Sequence, residues 1–361
     1  MSVHEFFASD YVSARAAFLA ACSDAGIELA SHVCPHRHED APGGLFTDVA
    51  RVGRADAPNV VVVIAGTHGA EGIFGSGCQV GSLRQRRFDS LPSDTAILLI
   101  HAINPLGFAG CHRVAEDNVD LNRNFGDHAR PLINPDYASV HDLLVPEEWT
   151  EETPTQIRAG IAAYIAAHGQ KAFDRAAMAG QATHPSGIYY SGVRPTWSNV
   201  TLTRIAAEHL ARAKRIAVLD LHTGLGPFAS AELICRHPPG SEDLARARRW
   251  YGEGVTAAQA GESGSPPVDG NLRMAFGRLC PTAEITSIGV EIGTVPLDEC
   301  LMILCADNWL YNHGDPPGPF RDRVRKDMRR AFSPDDPRWT EPVFGRTMEL
   351  LQRAIVGVST A

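Results

Sequence analysis

His68 and Glu71 stand in the run Gly66-Thr67-His68-Gly69-Ala70-Glu71-Gly72, and His222 follows the apolar run Ala217–Leu221. Two imidazoles and one carboxylate, with an open position for water, make a catalytic zinc site. One such ion acidifies its water and polarises a substrate carbonyl. The HxxE spacing alone decides little, because it occurs twice: His36-Arg37-His38-Glu39 has it as well. That copy lies in a polar stretch, PHRHEDAPGG, with no strand before it, and reads as a surface loop. The copy at 68–71 follows a buried apolar run, and glycines at 66, 69 and 72 let the backbone turn sharply there. Glu291 closes a further apolar run, Ile285–Ile292. Asp220 precedes His222 by two residues, so the two share a strand face. It either orients His222 from behind or is a buried structural acid.

A second group of polar residues could hold anions. Asn104-Pro105-Leu106-Gly107-Phe108 is followed by Arg113 and then by Asn118-Val-Asp-Leu-Asn-Arg-Asn-Phe125. Arginine in a cleft is suited to forked recognition of carboxylates. Arg123 with Asn122 can hold a substrate carboxylate, and Arg113 can stabilise an oxyanion. The alternative for each arginine is a surface position beside an acid.

These residues need a scaffold that gathers them. Four short apolar runs, Asn59–Gly66, Ala96–Ala102, Ala217–Leu221 and Ile285–Ile292, have the pattern of strands buried on both faces of a mostly parallel sheet. Helical patterns cover Ile157–Asp174, Leu202–Arg215, Leu297–Asn312 and Phe344–Val356. Near the start, Phe7, Tyr11, Ala14, Phe18 and Ala21 share one helix face. Alternating strands and helices predict a three-layer α/β/α sandwich with a mixed, mostly parallel sheet. Ligands gather at the carboxyl ends of strands in such sheets, which is where the candidate residues fall. Gly261–Gly270 and the stretch around Pro131–Pro135 read as loops. Neither has the character of a linker, so residues 1–361 are expected to form one domain with loop insertions.

Composition narrows the partners. The chain has 361 residues, a net charge of −9 and no basic block, which argues against nucleic acid and anionic membranes. No apolar run reaches membrane-spanning length, and the N-terminus lacks a signal-peptide pattern. The eight cysteines are scattered without a CxxC pair. They read as reduced thiols of a cytoplasmic protein, and cysteine-ligated zinc is not expected. A homo-oligomer is allowed by this composition and not required.

Taken in order, GTHGAEG, NPLGF, an arginine, NVDLNRNF, LDLHTG and a late strand glutamate resemble the M14 zinc carboxypeptidases and their aspartoacylase and succinylglutamate desuccinylase branch. The finer words THPSGIYYSG, VEIGTVP and ADNWLYNHGDP are similar to the DUF2817 group. Together they span roughly residues 60 to 340. The resemblance implies a carboxypeptidase-like fold with His68, Glu71 and His222 as ligands of one zinc ion per chain. It makes Arg113 the carbonyl-polarising arginine and Asn122 with Arg123 the carboxylate clamp. Glu291 becomes the general base that takes a proton from the attacking water and later hands it to the leaving amine. Burial at the strand mouth would raise its pKa toward that use. The chain departs from the carboxypeptidases in one place: Gly261–Leu279 has no tyrosine. Tyr189 or Tyr190 can offer a phenol from another loop, with His184 as a further substrate contact, or the tyrosines can be core residues.

The resulting expectation is zinc-dependent hydrolysis of an amide bond near a carboxylate in a peptide or small-molecule substrate. The version that the whole-chain resemblance puts first is carboxypeptidase-like and trims a C-terminal residue from a peptide. The other removes the acyl group of an N-acyl amino acid. A catalytically silent binding protein on the same fold is a third reading, although all five key side chains are present. A serine esterase is disfavoured, because Ser76 in Phe74-Gly-Ser-Gly-Cys78 lacks the GxSxG spacing and falls in a helical segment.

Overall fold

Continuous apolar runs can be buried on both faces, and the four expected runs do form the centre of the sheet. The computed structural model describes residues 2–360. Its strands are β1 (Leu29–Cys34), β2 (Leu45–Val52), β3 (Asn59–Ala65), β4 (Thr95–His101), β5 (Arg215–Thr223), β6 (Ala231–Cys235), β7 (Val255–Ala257) and β8 (Glu284–Ile292). They form one sheet in the order β1-β2-β4-β3-β5-β8-β6-β7. The central β4, β3, β5 and β8 run parallel, while β2 and β6 join antiparallel on either side. The sequence did not announce β1, β2, β6 and β7. They lie toward the sheet's two margins, where strands need less continuous apolarity.

The helices are α1 (Tyr11–Asp24), α2 (Gly72–Arg84), α3 (Pro105–Gly110), α4 (His141–Leu144), α5 (Thr153–His168) and α6 (Gln170–Met178). After them come α7 (Trp197–His209), α8 (Glu242–Tyr251), α9 (Phe276–Leu279), α10 (Leu297–Asn312), α11 (Pro319–Phe332) and α12 (Pro337–Thr360). The helix expected over 157–174 is in fact α5 and α6, parted at Gly169 with φ 86°. The one expected over 202–215 starts earlier and stops at His209, because Arg215 already opens β5.

Strand alternation sorts the core into layers. Val61 and Val63 of β3 face Phe18 of α1, Phe74 of α2 and Phe344 of α12. Val60, Val62 and Ile64 face Leu202 and Ile205 of α7 and Phe276 of α9. Helices therefore cover both sheet faces. A third cluster joins α6, α10 and α11 with Ala70 and Tyr189, placing it beside the carboxyl ends of the central strands. No helix among the described residues is long and apolar enough to cross a membrane.

Candidate metal centre and its cleft

The chain leaves β3 through Gly66, whose φ of 72° is a conformation that side chains disfavour. Gly69 serves a different purpose. A Cβ there would lie 1.9 Å from the carbonyl carbon of Gly107, so glycine permits close backbone contact between two loops. Across that contact the Gly69 N–H donates to the Arg113 carbonyl at 3.3 Å, and Ala70 N–H to that of His112 at 2.9 Å. The NPLGF words explain the other half. Asn104 N-caps α3 by accepting from Gly107 N–H at 3.0 Å, and Pro105 opens the helix. The Asn104 amide also donates to the Val114 carbonyl at 3.1 Å. Arg113 is thereby fixed beside His68 and Glu71.

The remaining acid and imidazole groups come from neighbouring strands. β5 and β8 pair in parallel with His222 opposite Glu291. His68 Nδ1 lies 2.8 Å from Glu71 Oε1, and His222 Nδ1 lies 2.8 Å from Glu71 Oε2. Among the described residues, His68, Glu71 and His222 are the one such group placed to share a metal ion, with ligand atoms all within 4.8 Å. The second HxxE copy, at 36–39, lies in a loop outside this group, as expected.

Two imidazole nitrogens and a carboxylate facing one point are a donor set that suits a divalent ion. The atoms behind them suit it too. His222 Nε2 lies 2.6 Å from Asp220 Oδ2, and the Thr67 hydroxyl donates to Asp220 Oδ1 at 2.6 Å. His68 Nε2 is 3.4 Å from Asp120 Oδ1 and 2.9 Å from Arg113 Nη2. Acids behind imidazoles fix ring orientation and raise basicity. Asp220 thus contacts His222 directly, which favours the orienting reading of that residue over a purely structural one.

The electrostatics follow from burial and proximity. Burial alone would raise Glu71, yet the charges of His68 and His222 hold it at about 2. Burial alone would lower His222, yet Asp220 and Glu71 push it up to about 10. Glu291 moves the other way. Burial first, then repulsion from Glu71, raises it to about 7, against the charges of His222 and His68 and a hydrogen bond from Leu225 N–H at 3.2 Å. For Asp120 burial is outweighed by Arg113 and Arg123, which keep it well below the usual carboxylate range.

Glu71, His222 and Glu291 line a cleft of about 700 Å³. The structure brings His68, Glu71, Arg113, Asn122, Arg123, Tyr189, His222 and Glu291 together there. Arg113 Nε donates to Asp120 Oδ2 at 2.9 Å. The Arg113 and Arg123 guanidinium carbons lie 5.0 and 5.2 Å from the centre of the Tyr189 ring. Asn122 accepts from Leu272 N–H at 3.1 Å, and its amide lies 3.3 Å from His222 Nε2. Two expected contacts are not among the cleft-lining residues. The His184 ring packs on His141 and Tyr137, with centroids 4.4 and 5.3 Å away. Tyr190 follows Tyr189, which is itself left-handed with φ 53°, and the charges that act on it are those of Asp117 and Arg194. Ser76 lies in α2 and meets His101 Nε2 at 3.0 Å, a buried structural contact.

Sequence reasoning missed one acid behind the cleft and two arginines that line it. Asp120 lay within the quoted NVDLNRNF word without a role. Arg236 follows β6 directly, but that strand was too short to recognise. Arg273 sits in a single turn before α9, where no pattern marks it.

Comparison with known proteins bears on the fold. Bovine thrombin-activatable fibrinolysis inhibitor, solved in complex with tick carboxypeptidase inhibitor, aligns with a TM-score of 0.50 and 10% identity, over 97% of this chain and 97% of that one. Carboxypeptidase A from Helicoverpa armigera aligns with a TM-score of 0.46 and 13% identity, over 90% of this chain and 74% of that one. A protein assigned as a succinylglutamate desuccinylase/aspartoacylase, from Shewanella frigidimarina NCIMB 400, gives 0.38 and 17%, over 80% and 72%. At such identities the likeness is one of fold, and the fold is carboxypeptidase-like. No curated protein matches in sequence. Residues 7–346 match the family described as "Protein of unknown function (DUF2817)", and the chain belongs to that family.

Proposed function

We propose that this member of the DUF2817 family is a zinc-dependent hydrolase of an amide bond lying near a substrate carboxylate. The observation that carries the reading is the convergence of His68 Nδ1, His222 Nδ1 and the Glu71 carboxylate beside a second buried acid, Glu291. A zinc ion held by the first three would acidify water and polarise a carbonyl.

The chain's own residues then divide the work. Glu291, disfavoured as an anion by burial, accepts a proton from the attacking water and delivers it to the leaving nitrogen. Arg113, locked by Asp120, donates to the oxygen that gains charge. Asn122 and Arg123 hold the carboxylate and set the distance from it to the bond that breaks. Tyr189 stands between the two arginines and supplies the only phenol lining this cleft among the described residues. Residues 1–361 act as one domain in this reading, since the site draws on strands from both halves of the chain.

A carboxypeptidase-like action on peptides and the deacylation of N-acyl amino acids share this chemistry. The lack of a tyrosine in the Gly261–Gly270 loop, which contributes Gly264, Ser265 and Pro266 to the cleft, supports the second version.

The test begins with metal analysis, which should find about one zinc per chain. A chain that folds without zinc and ignores chelators sinks the reading. Glu291→Gln should retain the metal and lose roughly two to four orders of magnitude in kcat. Unchanged turnover removes Glu291 from the mechanism. Assays of peptides with free or blocked C-termini against N-acyl amino acids then separate the two versions.

A further inference from the structure

The cleft lining divides by chemistry. Asn122, Arg123, Arg236 and Arg273 make one wall polar and cationic. The other wall is hydrocarbon, and three helices build it. α5 contributes Ile161, Ala162 and Ile165, which with Arg158 recur at spacings of three and four along one helix face. α6 contributes Phe173, and α10 contributes Leu301 and Met302. This wall starts at the metal centre. A Cβ on Gly224, two residues past His222, would lie 3.5 Å from Cys300 Sγ of α10 and 2.9 Å from the Phe332 ring of α11.

α5 is short of partners on this face. Thr153 and Ile157 are its only buried residues, and both lie in its first turns. Ile161 and Ile165 are half-buried and Ala162 is exposed, although all three line the cleft. An apolar face turned to a cavity rather than to a core leaves burial unrealised, and an apolar ligand supplies it. The wall also runs on. Arg158 and Met302 line a second cavity, of about 440 Å³, that reaches Trp149 and Phe320. Hydrocarbon surface therefore continues from the metal centre past Met302 to an aromatic pair with ring centres 5.8 Å apart. A peptide lying along it would take backbone N–H and C=O groups out of water, and the side chains of Ile161, Ala162, Ile165, Phe173, Leu301 and Met302 accept and donate no hydrogen bonds to replace it. An alkyl chain has no such groups to satisfy.

We propose that this wall takes a linear alkyl chain, so that the acyl half of the substrate is a medium-chain fatty acyl group. The carboxylate at the other end stays on Asn122 and Arg123. That an amide is cleaved between the two ends rests on the hydrolase reading above, whereas the binding of the chain does not. The competing occupant is an apolar side chain of a peptide, which would fill the wall near the metal and leave the stretch toward Trp149 unused.

Calorimetric titration of the full-length protein as purified, with N-acetyl-, N-hexanoyl-, N-octanoyl- and N-decanoylglycine kept below micelle-forming concentrations, separates the two. Affinity should rise about tenfold for each pair of methylenes added. Ala162→Trp puts a bulky ring into the path from an exposed helix position and should bring the whole series within about threefold. The double variant Ile161→Ser with Ile165→Ser leaves the path open and should weaken the decanoyl compound at least about tenfold. Circular dichroism confirms the fold of both. Flat wild-type affinities, a series that rises undiminished in both variants, or tighter binding of N-acetyl-L-leucylglycine than of N-octanoylglycine overturns the proposal. Amide hydrolysis with no dependence on chain length would sink the alkyl slot and leave the hydrolase. A rising series in a zinc-loaded protein that hydrolyses none of these compounds would sink the hydrolase and leave the slot.

Discussion

The chain contains HxxE twice, and the two copies have opposite fates. At 68–71 the imidazole and the carboxylate point at each other and at His222. At 36–39 the side chains scatter into separate pairs: His36 with Glu116 at 3.9 Å, His38 with Asp40 at 3.8 Å, and Glu39 with Arg321. That second copy belongs to a charged network centred on His112, Asp307, Asp315, Arg321 and Arg325. There each charge finds an opposite one, and the network closes on itself. It also holds Arg113, whose backbone N–H donates to Asp307 Oδ2 at 3.1 Å. The cleft instead keeps a raised Glu291 and two arginines, Arg123 and Arg236, that form no ion pair within 4.0 Å among the described residues. Buried charges that are satisfied internally fix a backbone, and those left short are the ones that recognise something else.

The largest effect should come from exchanging the two glutamates' fates. Glu71→Ala should lose nearly all bound metal and nearly all turnover, because it removes the acid that both imidazoles face. Glu39→Ala should leave metal content and turnover alone and cost at most about 1 kcal/mol, since its carboxylate is largely exposed. Metal analysis and urea melts of both variants check this. Metal loss in Glu39→Ala would erase the distinction.

The closed network should reveal itself in stability. His112 Nδ1 lies 2.6 Å from Asp307, and Asp307 and Asp315 outweigh burial to raise His112 from 6.5 to about 9. A folded pKa above the unfolded one means the stabilisation is complete below about 6.5 and fades as pH rises through about 9. Urea midpoints of the wild-type protein should fall across that window. His112→Ala should cost roughly 3–5 kcal/mol by leaving Asp307 buried and unpaired. A flat pH profile together with a mild variant would show that the network does not carry the fold.

The contrast between the copies also explains what the sequence could tell. β3, β5 and β8 were legible because strands buried on both faces need unbroken apolar runs, and His68, His222 and Glu291 stand at or just past their ends. β6 offers only Ala231–Cys235, so the strand-end logic that found His222 could not be applied to Arg236. Arg273 reaches the cleft from a turn, and no periodicity marks a turn residue. His184 and Tyr190 stay out of the cleft lining for a related reason. A shared sequence word brings a segment near a site, but backbone dihedrals decide which side chain enters. The left-handed turn at Tyr189 sends its ring toward the arginines and leaves its neighbours outside.

A smaller effect should come from the acids behind the imidazoles. Asp220→Asn keeps the shape but removes the charge beside His222 Nε2. Such changes typically cost about 10–100-fold in metal affinity. Chelator competition would measure it, with circular dichroism confirming the fold. An affinity equal to wild type would make Asp220 a structural acid after all.

The smallest effect tests whether the open cluster is held in place by anything besides ions. The Tyr189 ring faces both Arg113 and Arg123 at about 5 Å, so it can keep two like charges from swinging apart. Each such contact is worth about 0.5–2 kcal/mol. Tyr189→Phe preserves the ring face and should leave KM within about twofold, whereas Tyr189→Leu should raise it by about threefold to tenfold with a lesser change in kcat. The phenol itself is tested by the same pair. Burial pushes its pKa to about 12, so it stays a proton donor throughout the working range. If Tyr189→Phe is as damaging as Tyr189→Leu, the hydroxyl rather than the ring is what the cleft uses, and Tyr189 would then stand in for the phenol missing from the Gly261–Gly270 loop.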